Sequence, residues 1–188
     1  MEYVLEFPIM LTYIKEMEEE YKNQTCFVDK TKEWIKKSNL NTSKIRDLNY
    51  WIINKKKYYV DNKSIVLDYN KSEEKCAKWL RKTFGVDVFM CPRVNKPEGI
   101  NTPDYIFNYE YWDLKQINGI GNRTIDTAIK KCKNQAHNFI IDISKSGLSD
   151  ISAIYQLQKI FNNKNRKWVE KIILKRNDEL IKVYIKRD

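Results

Sequence analysis

The sequence has few of the residues on which several common kinds of active site depend. It contains one histidine, His137, and five glycines among 188 residues. A single imidazole excludes RNA cleavage by a pair of histidines that act as acid and base. The glycines form no G-x-x-x-x-G-K-[ST] or G-x-G-x-x-G motif, and this disfavours nucleotide-binding enzymes. We expect His137 to be a structural residue at a junction between a helix and a strand.

Paired cysteines and long apolar runs are also missing. The cysteines lie far apart and form no C-x-x-C pair; they are Cys26, Cys76, Cys91 and Cys132. Their spacing argues against a zinc cluster and predicts reduced thiols in a cytosolic protein. Charged residues and a proline interrupt the apolar run near the N-terminus, so we expect neither a signal peptide nor a membrane span there. No other window approaches the length of a bilayer-spanning helix, and we expect a cytoplasmic site of action.

Lysine and arginine are abundant, and their excess is concentrated near the C-terminus. The chain has 35 basic and 25 acidic residues, a formal charge of +10, and residues 130–188 hold 14 basic and 6 acidic groups. Such an excess favours a polyanionic partner, because neutralised phosphates release counterions. A solvated lysine-rich surface would give the same composition. We predict that a nucleic acid backbone contacts Lys131, Lys133, Arg166 and Lys167.

The hydrophobic pattern divides the chain into two parts. Residues 1–62 are predicted to be a mostly helical segment of unknown role, with helices at about Pro8 to Tyr21, Lys30 to Lys37 and Ser43 to Asn54. Residues 63–188 form the second part, in which helices and strands follow one another. This order predicts an α/β (α+β) fold, in which a mixed β-sheet is flanked by helices.

The ends of several elements can be located in the second part. The stretch "SEEKCAKWLRKTFG" predicts a capped helix that is closed by Gly85. The stretch "TIDTAIKKCKNQA" predicts a second helix with Thr124 as its N-cap, and the apolar strand "NFIIDIS" follows it, with Asp142 as a hydrogen-bonding acid of the core. A helix at about Ser149 to Asn162 and a hairpin complete this part.

The stretch "TPDYIFNYEYWDLK", Thr102 to Lys115, predicts a β-hairpin that carries charges. Because side chains alternate along a strand, Asp113 and Lys115 share one face of the second strand. Asp104 begins the first strand. A three-residue tip, Asn108 to Glu110, would set Asp104 roughly opposite the charged end of the second strand. Three charged groups are therefore expected to converge among apolar neighbours.

A third carboxylate is predicted to come from the helix that precedes the hairpin. At about 100° per residue, Glu73 falls in line with the buried stripe of that helix, whereas Glu74 lies a quarter turn away. Glu73, Asp104 and Asp113 would form an oxygen-rich site that suits a hard divalent cation, magnesium or manganese. Lys115 would then orient the attacking water or stabilise the developing charge.

These residues resemble the PD-(D/E)xK nuclease superfamily, with Glu73 as the helix acid, "PD" at Pro103 and Asp104, and "DLK" at Asp113 to Lys115. The run "EEKCAKWLRKTFGVDVFMCPRVNKPEGINTPDYIFNYEYWDLKQI", followed by "IDTAIKKCKNQAHNFIIDIS", is similar to the tRNA-nuclease C-terminal toxin domain of contact-dependent growth inhibition CdiA proteins. The resemblance covers residues 64–188 and leaves residues 1–62 outside it.

The resemblance implies a restriction-endonuclease-like fold, a divalent metal ion and cleavage of nucleic acid, with RNA, tRNA above all, favoured over DNA. It also implies that a polar residue of the helix after the hairpin completes the site. Gln135 matches that place, on one edge of the helix with Lys131. A cognate immunity protein that masks the site and delivery into a target cell as part of a larger toxin are further implications.

Two other functions stay open from the sequence. A DNA endonuclease would have the same site and a different docking surface. A non-catalytic module that binds RNA or DNA would use these charges for contact alone. Asp113 and Lys115 would then be no more than an ion pair on a half-exposed strand.

Overall fold

The computed structural model describes residues 25–36 and 42–187, and a large mixed β-sheet lies at its centre. The strands are β1 (Phe27–Asp29), β2 (Ile45–Asp47), β3 (Tyr50–Ile53), β4 (Lys56–Tyr59), β5 (Ile65–Val66), β6 (Val88–Met90), β7 (Arg93–Val94), β8 (Tyr105–Phe107), β9 (Glu110–Gln116), β10 (Asn138–Asp142), β11 (Lys171–Arg176) and β12 (Glu179–Lys186). The α-helices are α1 (Thr31–Lys36), α2 (Lys71–Phe84), α3 (Thr124–Lys130) and α4 (Asp150–Phe161), and a 3-10 turn covers Lys164–Arg166.

Eight strands form the main sheet in the order β1-β12-β11-β10-β9-β8-β6-β2. Strand β10 is parallel to both β9 and β11, β2 is parallel to β6, and the other neighbours are antiparallel. Two small sheets, β3-β4 and β5-β7, lie outside it. A mixed sheet with helices was expected from the order of elements, and this prediction is confirmed.

Helices cover both faces of the central strands. Successive residues of β10 point to opposite faces, so that Ile140 packs in the cluster that contains the buried side of α2, whereas Ile141 packs in the cluster that contains α3 and α4. Such a strand, buried on both faces, reads as a continuous apolar run. Within the described ranges, no helix has the length and apolar character needed to cross a membrane.

Helix α2 begins and ends where its local sequence dictates. The Asn70 side chain accepts hydrogen bonds from the backbone N–H groups of Ser72 and Glu73, and the Glu73 carboxylate accepts one in return from the Asn70 backbone. This reciprocal cap satisfies N–H groups that have no partner within the helix. Gly85 ends the helix in the left-handed region, at φ 64°, as predicted.

The β8–β9 hairpin has a tighter turn than its sequence suggested. Asn108 and Tyr109 have φ values of 51° and 65°, and Phe107 pairs directly with Glu110. The tip is therefore two residues long, and not three as predicted. The shorter tip sets Asp104 across from Asp113, and the Asp104 backbone N–H donates to the carbonyl of Trp112 at 3.1 Å.

The first part of the chain differs most from its predicted structure. The predicted helix at Ser43 to Asn54 is wrong, because this segment contains β2 and β3. The predicted helix at Lys30 to Lys37 is present as α1, and the one at Pro8 to Tyr21 lies outside the described residues. The division at residue 62 stays a prediction, and β1 and β2, which precede it, pair with β12 and β6 in the main sheet.

Other local predictions were tested by the structure. Thr124 is the first residue of α3, and the N-cap position belongs to Arg123, which makes no side-chain cap, so the N-cap prediction is wrong. Asp142 is a buried acid that accepts hydrogen bonds from Ser144, as predicted. All four cysteines are free thiols, as expected. His137 is exposed and lies 3.2 Å from a carboxylate oxygen of Glu170.

Candidate active site

The five residues predicted for the site line one hollow of about 380 Å³. They are Glu73, Asp104, Asp113, Lys115 and Gln135. They come from the first turn of α2, the start of the β8–β9 hairpin, the middle of β9 and the turn after α3. The topology thus brings together side chains that are up to 62 positions apart in the sequence.

Asp104 is fixed by the strand opposite it. Its Oδ2 accepts a hydrogen bond of 2.7 Å from the backbone N–H of Leu114. Burial and, to a smaller extent, the negative charge of Asp113 together raise the pKa of Asp104 to about 7, against the lowering effect of this hydrogen bond. Desolvation and a like charge both disfavour the ionised form of a carboxyl group, and Asp104 experiences both.

Asp113 is a buried carboxylate with few partners. Its side chain is 1% exposed, and neither oxygen receives a hydrogen bond of good geometry from the residues that the structure describes. The ammonium of Lys115 lies 2.5 Å from Oδ2, and we regard this contact as an ion pair rather than an aligned hydrogen bond. Burial raises the pKa of Asp113, and the charge of Lys115 offsets only part of that rise.

Lys115 projects from β9 on the same face as Asp113, as the alternation predicted. Burial opposes the charge of its ammonium group, but the nearby Asp113 carboxylate and a hydrogen bond with Cys132 outweigh it, and the net effect raises the pKa of Lys115. The side chain is 22% exposed and lines the hollow. It is therefore a cation held next to two acids, with part of its surface open to a ligand.

Glu73 lies on the buried face of α2, in the predicted helical phase, but other groups already hold its carboxylate. Asn70 donates to it from its backbone and its side chain, and one guanidinium nitrogen of Arg93 lies 3.0 Å and 3.2 Å from its two oxygens. The predicted set of three metal ligands stays a prediction. In the described part of the chain, no three His, Cys, Asp or Glu side chains are grouped so as to hold a metal ion.

Gln135 lies in the turn that follows α3, because the helix ends at Lys130, earlier than expected. Its side-chain amide donates to the carbonyl of Thr102 at 2.7 Å. This bond ties the turn to the loop that carries Asp104. Gln135 also lines a second hollow, which contains Lys133 and Tyr111.

Arg93 was not predicted, although it lines the hollow. Its guanidinium pairs with Glu73 and lies 3.6 Å from Asp68. A single arginine in a two-residue strand, 20 positions from Glu73, carries no local signal of such a contact. Only the pairing of β5 with β7 places it there.

The predicted phosphate-binding residues differ in exposure and in surroundings. Lys131, Lys133 and Lys167 are exposed. Lys131 lines a hollow beside Arg123, apart from the carboxylates. Arg166 is 8% exposed and its guanidinium lies 2.7 Å from Asp126 in an ion pair, and its role in binding phosphate stays a prediction.

Several of the basic residues near the C-terminus form ion pairs. Acids from outside residues 130–188 pair with Arg166, with Lys171 (Glu110) and with Lys182 (Asp29). Acids from within that range pair with Lys175 (Asp142) and Arg176 (Asp150). A count of charges along the sequence therefore overstates the positive surface that a polyanion would meet.

The comparison with known proteins finds similarity in the same region as the site. Residues 101–180 match the family model of the contact-dependent growth inhibition CdiA C-terminal domain. A chain of the CdiA-CT/CdiI toxin and immunity complex from Burkholderia pseudomallei is 18% identical with a TM-score of 0.44, and the alignment covers 77% of this chain and 100% of that one. No curated protein matches the chain. The segment that matches the family model contains Asp104, Asp113, Lys115 and Gln135, and it leaves out Glu73.

Proposed function

We propose that this protein is a metal-dependent nuclease that hydrolyses phosphodiester bonds of nucleic acid. The observation that carries the proposal is the Asp113 carboxylate, which is buried next to Asp104 at the wall of a hollow and has no well-formed hydrogen bond to either oxygen. The charge of Lys115 offsets only part of the cost of burying this carboxylate, and a bound ligand would complete its environment. A bound cation would complete the environment of Asp113 and would also relieve the repulsion between Asp104 and Asp113.

The residues present fit a magnesium or manganese ion. Magnesium is commonly bound by one or two carboxylates, with water and substrate phosphate oxygens as the other ligands. Asp104 and Asp113 would hold it, and Glu73 would join them if it left Arg93. When bound, such an ion polarises a phosphoryl oxygen and acidifies a water molecule at neutral pH.

The protein's own residues contribute position and charge. The Leu114 N–H holds the Asp104 carboxylate in place. Lys115 keeps its proton, since its pKa is raised, and its ammonium is placed to stabilise negative charge that develops on the phosphate. Gln135 holds the loop at Thr102 against the turn after α3, which keeps the wall of the hollow closed on that side.

The substrate and the biological role are proposed from similarity. The matched family model supports a toxin domain, and the resemblance to tRNA-nuclease toxins supports RNA, tRNA in particular, as the substrate. A cognate immunity protein and action in the cytoplasm of a target cell belong to the same proposal. An acidic partner could cover the hollow, where Lys115 and Arg93 are partly exposed.

The decisive experiment compares Asp113→Asn with the parental protein on four substrates: single-stranded RNA, folded tRNA, supercoiled DNA and linear duplex DNA. We expect RNA cleavage in magnesium or manganese, none in chelator, and a loss of at least about a hundredfold in the variant, which should still unfold cooperatively. Asp178→Asn, which changes an exposed acid in the β11–β12 turn, is the matched control and should cut normally.

Parental cleavage by Asp113→Asn would show that the site is misassigned. Binding that persists in chelator, without cleavage at any metal concentration, would favour a non-catalytic module. Cleavage of DNA in preference to RNA would keep the site and change the substrate.

A further inference from the structure

The β3–β4 hairpin, residues 50–59, is a ribbon that stands outside the main sheet. Its turn residues, Asn54 and Lys55, have φ values of 50° and 64°, which a two-residue turn of type I′ requires. The chain just before the ribbon is tied to the main sheet by a hydrogen bond of 2.9 Å from the Leu48 N–H to the Met90 carbonyl. The ribbon lies outside the segment that matches the family model and contributes nothing to the hollow.

The composition of the ribbon is unusual for a protein surface. It holds three consecutive lysines, four aromatic residues and no acid within ten positions; the aromatic residues are Tyr50, Trp51, Tyr58 and Tyr59. Lysine is depleted at interfaces between proteins. Lysines interleaved with aromatic rings suit a polyanion that carries flat bases, because the rings stack and the ammonium groups meet phosphates. The charge therefore favours nucleic acid over protein as the occupant.

The outer face of the ribbon presents an open ring beside an ammonium group. The register pairs Tyr50 with Tyr59 and Ile52 with Lys57, so these four side chains share one face. Tyr59 is 66% exposed and Ile52 is 56% exposed. The Lys57 ammonium lies 3.9 Å from the centre of the Tyr50 ring and 5.9 Å from that of Tyr59. Tyr59 is the ring that a base can cover without displacing the lysine.

The inner face of the ribbon connects it to the carboxylate pair. The ring centroids of Trp51 and Tyr111 are 5.6 Å apart. Tyr111 is 51% exposed and precedes Asp113 by two residues on β9. Their side chains therefore stand on the same face, about 7 Å apart along the strand. Tyr111 lines a hollow that shares Gln135 with the hollow of the two acids, so a strand of nucleic acid that left the ribbon along Tyr111 would run toward them.

We propose that the β3–β4 ribbon binds a single-stranded segment of the nucleic acid, with an unpaired base stacked on Tyr59 and a phosphate on Lys57, and leads that strand past Tyr111 to the carboxylate pair. The direction of the strand rests on the proposed nuclease function, whereas the binding itself does not require cleavage. Stacking on tyrosine accepts any base, so the ribbon contributes affinity rather than sequence preference.

The test is the double variant Lys57→Gln with Tyr59→Ala, measured by fluorescence anisotropy with a short labelled oligouridine in chelator. We expect its dissociation constant to rise about 10- to 100-fold, because one stacked base and one phosphate contact are lost. The slope of log affinity against log salt should flatten by about 0.7 for the one charge removed. Tyr59→Phe keeps the ring and should bind as the parent does.

The chain provides a matched control on α4, where Tyr155 is 57% exposed and the Lys159 ammonium lies 4.2 Å from the centre of its ring. Lys159→Gln with Tyr155→Ala removes the same two groups and should leave the affinity unchanged. An equal loss in this control, or parental affinity in the ribbon variant, would overturn the proposal. An equal loss for blunt duplex RNA would overturn the stacking, since a duplex offers no unpaired base.

Cleavage separates this inference from the proposed function. A dinucleotide is too short to reach both the ribbon and the acids, so the ribbon variant should cleave it at the parental rate in magnesium. If the parental protein cleaves nothing but the ribbon variant loses affinity, the nuclease proposal fails and the ribbon stands. If cleavage occurs and the ribbon variant binds like the parent, only the ribbon inference fails.

Discussion

In the cation-free protein, Asp104→Asn should raise the free energy of unfolding at pH 8. Burial and the neighbouring Asp113 raise the pKa of Asp104 to about 7, so at pH 8 its ionised form is held in place against desolvation and repulsion. The substitution removes that charge. An asparagine side-chain oxygen can still accept the hydrogen bond that Leu114 now donates to Oδ2, so the local structure has no reason to change.

The magnitude and its pH dependence follow from proton linkage. Since the folded-state pKa lies above the ordinary pKa of an aspartate, 3.8, the folded protein binds the proton more tightly than the unfolded chain. The stability that this proton contributes is fully present below about pH 3.8 and is lost as the pH rises through about 7. The full shift corresponds to at most roughly 4 kcal/mol, and we expect a gain of about 2 kcal/mol at pH 8.

The assay is urea unfolding of the parent and the variant in chelator at pH 8 and pH 4. A gain of about 2 kcal/mol corresponds to a rise of roughly 6 °C in Tm for a chain of this size, and it should nearly vanish at pH 4. Magnesium should stabilise the parent at pH 8 more than the variant, because a cation that binds only the folded state adds to stability by mass action. The control Asp178→Asn should change neither quantity.

A variant less stable than the parent at pH 8 would refute the idea of two repelling acids. So would a gain of the same size at both pH values, because it would come from packing rather than from ionisation. Equal stabilisation of parent and variant by magnesium would mean that the ion binds elsewhere.

Two further predictions concern the cations. Lys115→Ala should lower cleavage by at least about a hundredfold and leave the affinity for magnesium intact, because the Lys115 ammonium acts on the charge that develops on the phosphate and not on the ion. Isothermal titration measures the magnesium affinity, and weaker magnesium binding would contradict this role. The double variant Lys131→Gln with Lys133→Gln should flatten the slope of log RNA affinity against log salt by roughly 1.4 if both lysines contact phosphates. An unchanged slope and an unchanged cleavage rate would mean that both lysines are solvated surface residues.

The parts of the site that the sequence predicted are those fixed by local periodicity. Alternation along β9 placed Asp113 and Lys115 on one face, and the helical phase placed Glu73, but not Glu74, on the buried side of α2. Both periodicities are properties of the backbone and need no knowledge of distant contacts. The helix end at Gly85 is local for the same reason.

The parts that were missed depend on contacts between distant residues. Phe27 of β1 lies opposite Lys186 of β12, and a three-residue strand has no pattern of its own that could predict such pairing. Arg166 reads as a surface cation until Asp126, 40 residues away, is found beside it. The helix predicted at Ser43 to Asn54 is wrong, and the segment contains Tyr-Trp-Ile-Ile, residues that are enriched in strands. The hairpin turn, Asn54 and Lys55, lacks the usual glycine and so gives only a weak local signal.

Glu73 has two candidate roles. The sequence predicts a metal ligand, whereas the structure shows a helix cap that also pairs with Arg93. The variant Glu73→Gln distinguishes between them. Glutamine can still complete the reciprocal cap with Asn70, so the variant removes the charge and keeps the helix end. The Glu73 charge contributes to the raised pKa values of both Asp104 and Asp113, so it lies close enough to act on a cation bound between them.

We therefore expect Glu73→Gln to weaken magnesium binding about three- to tenfold and to lower cleavage, with the same Tm as the parent. The matched control is Glu74→Gln, one residue further on the exposed face of α2. It should match the parent in all three measurements. Parental magnesium affinity and cleavage in Glu73→Gln would make this acid a helix cap and a partner of Arg93 alone. A loss in Glu74→Gln, with none in Glu73→Gln, would mean that Glu74 is the acid that acts on the ion. Glu74 lies about 100° further around the axis of α2, so the helix would have to rotate by that angle to bring Glu74 to the site.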